Sequence, residues 1–100
     1  MKYDKLVRDR IPEIIAQKGQ EAKTHIAGDR EYREKLMEKL QEEVGEFLKS
    51  GEREEIADIL EVIDAICEDQ GFSMDRIKEV KQKKFKERGG FKEKIILEEA

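Results

Sequence analysis

Cysteine, proline, histidine and tryptophan are almost missing from this chain. Among its 100 residues there is one Cys, one Pro, one His and no Trp. The lone Cys67 cannot close an internal disulfide, so the fold has to hold without covalent staples. On helical phase Cys67 reads as a small core residue, since no histidine neighbours it to make it a nucleophile. The lone His25 has no second His or Cys with which to bind zinc, and no Ser/Cys–His–acid set can be built around it. It reads as a loop or strand residue. No Glu-x-x-His pair is present, which disfavours a carboxylate-bridged di-iron bundle. Neither a Gly-rich phosphate loop ending in Gly-Lys-Ser/Thr nor a dinucleotide fingerprint occurs. Apolar runs stay far below the roughly 20 residues of a membrane span. The opening residues lack a signal peptide's apolar core, so a cytoplasmic location is the expectation.

What the chain has in abundance is charge. Asp, Glu, Lys and Arg make up 46% of it against 37% apolar residues, and the net charge is −4. An acidic balance argues against binding a nucleic-acid polymer. The apolar residues recur with helical periodicity, which separates the chain from a disordered one. One all-α domain over residues 1–100 follows, built as an antiparallel helical bundle. A chain this short buries only a modest core and gains from oligomerisation.

The first predicted helix is capped by Asp9, carries Pro12 and Glu13 in its first turn, and ends at Gly19. Residues 22–27 read as a short extended segment. Asp29 then caps a long helix to Ser50. Ser50-Gly51 reads as a helix stop and turn, and a partner helix runs over 52–70 to stop at Gly71. Ser73 caps a last helix that ends at Arg88, with Ile77, Val80 and Phe85 facing inward. Residues 94–98 read as a short strand or extended arm.

Two acidic repeats stand on either side of the Ser-Gly turn. Glu43 and Glu46 lie three residues apart before it, and Glu55 and Asp58 three apart after it. On a helix each pair projects to one side, about 60° apart. Helices joined this tightly run antiparallel, so the two pairs come back towards each other. Leu36, Leu40, Val44 and Phe47 form the apolar stripe of the first helix, with Glu43 inside it. Ile56, Ile59, Leu60, Ile63, Ile66 and Cys67 form that of the second, with Glu55 on its edge. Carboxylates pushed towards a core need a counter-ion. Mg²⁺ or Mn²⁺ suits four such oxygens; a salt-bridged interior without metal is the structural alternative.

Cations gather elsewhere. Lys5, Arg8 and Arg10 cluster before the first helix, as surface charge or as a phosphate-binding corner. Residues 73–92 hold eight bases against three acids, a local charge of +5, whereas residues 31–69 hold five against fourteen, or −9. Lys81, Lys84 and Arg88 recur on one helical face, either solvated or holding phosphates beside a metal. The remaining chemistry is metal-assisted attack of water on a phosphoanhydride, with a carboxylate orienting the water and cations stabilising the developing charge.

Glu43-x-x-Glu46 and Glu55-x-x-Asp58, in their Leu40-Gln-Glu-Glu-Val-Gly-Glu-Phe47 and Glu54-Glu-Ile-Ala-Asp-Ile-Leu-Glu-Val62 contexts, resemble the signature of the all-α MazG-like nucleotide pyrophosphohydrolases. Lys5-Leu-Val-Arg-Asp-Arg-Ile-Pro-Glu-Ile-Ile15 and Arg88-Gly-Gly-Phe91 are similar to short phosphoribosyl-ATP pyrophosphohydrolase-like members. The resemblance implies a four-helix core, dimers or tetramers, Mg²⁺ dependence, and cleavage of a nucleotide to monophosphate and pyrophosphate. By position it implies Glu43, Glu46, Glu55 and Asp58 as metal ligands. Only eight residues separate Glu46 from Glu55, which leaves little chain there for base recognition. Phosphoribosyl-ATP hydrolysis and a non-catalytic helical interaction module are the alternatives.

Overall fold

A computed structural model of the chain describes residues 4–100. It contains four helices among the described residues: α1 (Ile11–Gln17), α2 (Asp29–Ser50), α3 (Arg53–Gln70) and α4 (Met74–Arg88). The all-α class is borne out. The extended segments expected at 22–27 and 94–98 pair with nothing as strands; both are irregular. An isolated strand without a sheet partner leaves its backbone groups to water, so irregular chain costs no more.

The reversal between α2 and α3 follows from a few residues. Gly51 adopts a left-handed φ of 66°, and its N–H donates to the Phe47 carbonyl at 2.8 Å. A side chain at that φ would be strained, so glycine is what lets the helix close there. Ser50 Oγ then accepts from the Glu52 N–H at 3.2 Å, and α3 begins one residue later. At the far end Gly71 is left-handed too, with Phe72 N–H donating to the Cys67 carbonyl at 2.8 Å in a Schellman closure.

Helix starts differ from expectation at two places. Arg10, not Asp9, occupies the cap of α1, and Gly28, not Asp29, that of α2; neither supplies a side-chain cap. Asp29 instead sits in the first turn, where its charge complements the helix dipole. Ser73 caps α4 as expected, its Oγ accepting from the Arg76 N–H at 3.3 Å.

Helices α2 and α3 form the one extensively packed pair. Arg33 ties the start of α2 to Asp69 at the end of α3 at 3.1 Å. Only Leu36, Val62 and Cys67 are buried among the described residues. Val62, outside the predicted apolar stripe of its helix, belongs to the core. Leu60, expected in the core stripe, is 55% exposed. Ile77, Val80 and Phe85 of α4 do not face inward; they are 37%, 41% and 64% exposed, because α4 has no extensive packing on the hairpin. The protomer is accordingly extended. Its radius of gyration is 17.9 Å, against about 13 Å for a compact chain of this length.

Leu36 is the most deeply buried of the three core residues. Leu36→Ala should destabilise the protein by about 2–5 kcal/mol, whereas Ile26→Ala, at a side chain 96% exposed, should change little. Urea denaturation followed by helical circular dichroism checks this; equal losses would move the core elsewhere.

Candidate metal centre

The tight reversal carries the C-terminal half of α2 past the N-terminal half of α3. Glu43, Glu55 and Asp58 each bring a carboxylate oxygen within 4.8 Å of the others. Three of the four sequence-predicted ligands therefore meet. Glu46 lies outside that trio and is exposed, but its charge is the largest carboxylate influence on Glu55.

Each acid of the trio meets a different environment. Glu43 has a side chain only 13% exposed and an ion pair with Lys39 at 3.3 Å. Asp58 accepts from Arg8 Nη2 at 2.8 Å, and the same guanidinium stands 3.8 Å from Glu61. Among the described residues Glu55 makes no ion pair. Desolvation first, and then the negative charges of Glu46, Asp58, Glu43 and Glu52, hold its carboxyl above the ordinary carboxylate range. That is the electrostatic condition of a group lacking a cation.

The predicted phosphate corner turns out to be a strap over this site. Residues 4–10 cross both helices, Lys5 pairing with Glu42 of α2 at 3.1 Å and Arg8 with Asp58 and Glu61 of α3. Arg10 instead pairs with Glu13 at 3.2 Å within its own helix start. Lys81, Lys84 and Arg88 are exposed on α4, and no ion pair joins them to the acidic trio among the described residues.

Lys39 was not foreseen. Burial works against its charge, yet hydrogen bonds to Glu42 and Glu43 outweigh this and raise its pKa. Glu42 shows the mirror effect: burial would raise it, but the hydrogen bonds from Lys39 and Lys5 hold it below its usual value. The signal was available, since Lys39 stands three and four residues before Glu42 and Glu43 on one helix.

The donor set fits a hard divalent cation. Its oxygens are carboxylates alone, and Glu55 carries repulsion that a cation would relieve. Arg8 and Lys39 offset part of the charge at Asp58 and Glu43, leaving Glu55 as the unneutralised member. Comparisons with known protein families, curated proteins and solved structures find no match to this chain.

The raised Glu55 carboxyl has a signed consequence for stability. The unfolded chain ionises at the ordinary value, so folding loses stability as pH rises past that value and through the raised one. With chelator present, Glu55→Gln should raise Tm at neutral pH, and the gain should vanish in acid, where both side chains are neutral. Thermal melts across pH check this; a gain independent of pH would refute the charge origin.

Proposed function

We propose that this protein is a Mg²⁺-dependent nucleotide pyrophosphohydrolase that splits a nucleoside triphosphate into monophosphate and pyrophosphate. The observation that carries the reading is the convergence of Glu43, Glu55 and Asp58 within 4.8 Å, with Glu55 under the repulsion of its acidic neighbours. The motif resemblance of the two acidic repeats and of both chain ends points the same way. Glu43, Glu55 and Asp58 would hold the ion, Mn²⁺ serving as well as Mg²⁺, with Glu46 beside them. When bound, the ion neutralises phosphate charge and acidifies coordinated water.

The chain's own residues supply the rest of the reaction. A carboxylate of the cluster orients the attacking water and accepts its proton. Lys5 and Arg8, held over the cluster by the strap, sit where phosphate oxygens approaching the acids would meet cations. Arg10 at the strap's end, and Lys81, Lys84 and Arg88 on α4, are the further phosphate ligands of this reading, and a homodimer or homotetramer is its assembly. No helix among the described residues is long and apolar enough to cross a membrane, and the substrate of this reading is a dissolved nucleotide.

One observation favours a second reading. Asp58 and Glu43 already have internal cations, Arg8 at 2.8 Å and Lys39 at 3.3 Å, as a metal-free helical binding module would require. Pyrophosphate release from a nucleotide panel, with and without Mg²⁺, separates the two. Turnover confined to phosphoribosyl-ATP would assign the protein to histidine synthesis, and silence across the panel would leave the binding module.

Glu43→Gln and Asp58→Asn should each lower Mg²⁺-dependent turnover by about a hundredfold or more, while the fold stays intact or gains stability from relieved repulsion. Mg²⁺ should raise the Tm of the native protein by mass action and leave that of Asp58→Asn unmoved. Near-native activity in both variants would remove these residues from the site. A lost phosphate contact costs roughly 1.5–3 kcal/mol, so Lys84→Ala or Arg88→Ala should lower kcat/KM by roughly ten- to a hundredfold. Lys18→Ala serves as the surface control, and equal values for all three would exclude α4 from substrate binding.

A further inference from the structure

The protomer exposes 9624 Å², whereas a compact monomer of 11.7 kDa exposes about 5,900 Å². The excess is on the scale that obligate interfaces bury. Helix α4 shows where part of it lies. At about 100° per residue, Ile77, Val80 and Phe85 share one arc of roughly 140° with Lys81, Lys84 and Arg88. That face is apolar and basic at once, and its three apolar side chains are 37–64% exposed.

The complement stands at the turn end of the α2–α3 hairpin. Val44, Leu48, Ile56 and Leu60 are 37%, 78%, 40% and 55% exposed there. They interleave in sequence with Glu43, Glu46, Glu55 and Asp58, so that end is apolar and acidic at once. Helix α4 cannot meet it within the chain as folded. It starts at Met74, beyond the opposite end of α3, and lacks extensive packing on the hairpin. The molecule extends 56 Å, well past the about 33 Å length of the 22-residue α2.

We propose that α4 of one copy docks on the turn end of the α2–α3 hairpin of a second copy. Reciprocal docking about a two-fold axis closes the assembly and covers both faces. Charge complementarity selects this occupant: the +5 helix region of one copy meets the −9 hairpin region of the other. Lys81, Lys84 and Arg88 thereby reach the partner's carboxylate cluster. On the hydrolase reading, on which this last consequence rests, each site is completed by cations from the other chain.

The test uses the full-length chain, co-refolded from equal parts of ¹⁵N-labelled and unlabelled protein. A zero-length carbodiimide reagent joins lysines to carboxylates in contact, and mass spectrometry reads the isotope content of each joined peptide pair. Docking predicts mixed-isotope links between α4 lysines and acids of the 43–58 segment, together with a dimer or larger species in sedimentation. Lys84→Glu should weaken self-association by about tenfold or more without loss of helical circular dichroism, and Ile77→Asp should do the same. Single-isotope links alone, an oligomer linked only through other surfaces, or a monomer at micromolar concentration would overturn the proposal. Mixed links in a protein that releases no pyrophosphate leave the docking standing and remove the hydrolase reading. A monomer that hydrolyses nucleotides does the reverse.

Discussion

Everything at the centre of this molecule depends on carboxylates being held together against their own repulsion. Glu43, Glu55 and Asp58 lie within 4.8 Å of one another, and each would be better solvated apart. What holds them there is not attraction between them but the two helices they ride on. The left-handed Gly51 closes α2, Ser50 secures the turn, and α3 begins within three residues of the end of α2. With so short a connection the helices must pack antiparallel, and their acidic ends must meet. The cost of assembling these carboxylates is met by the packing of the two helices.

The strap shows how the chain offsets the charge of such a cluster. Arg8 reaches Asp58 and Glu61, Lys5 reaches Glu42, and Lys39 serves Glu42 and Glu43 from within α2. These pairs are partly exposed, so each contributes little to stability alone. Their effect is to neutralise selectively. Glu42 is drawn down into firm ionisation while Glu55 is pushed up towards protonation. Two carboxylates on neighbouring helices therefore differ in basicity because of the charges around them.

Much of this was legible in the sequence, and the limits of legibility are physical. The helix ends at Ser50, Gln70 and Arg88 were readable because glycine after a helix has a definite backbone meaning. The convergence of the acids followed from spacing and turn length alone. Val62 and Leu60 exchanged roles, however, because helical phase fixes only relative directions; which side faces the partner helix depends on the roll of two helices against each other. The strap was invisible for a different reason. Lys5 and Arg8 act on residues 37 and 50 positions away, and no local pattern encodes such a distance. Lys39, by contrast, lay within one turn of its partners and was simply overshadowed by the acids.

Helix α4 is the instructive failure. Its apolar residues recur at core-facing spacing, and periodicity correctly marks a face that needs covering. Periodicity does not say by what. In the protomer Ile77, Val80 and Phe85 stay exposed, although a three-residue connection after α3 could have folded the helix back. The interleaving of Lys81, Lys84 and Arg88 on the same arc explains why ordinary burial in an apolar core would not serve: desolvating three cations costs far more than three apolar side chains return, unless acids meet them. A helix face of that composition is matched by a surface that is itself half acidic and half apolar, and the turn of the chain's own hairpin presents such a surface. The segregation of charge along the sequence is thus what the proposed docking would use.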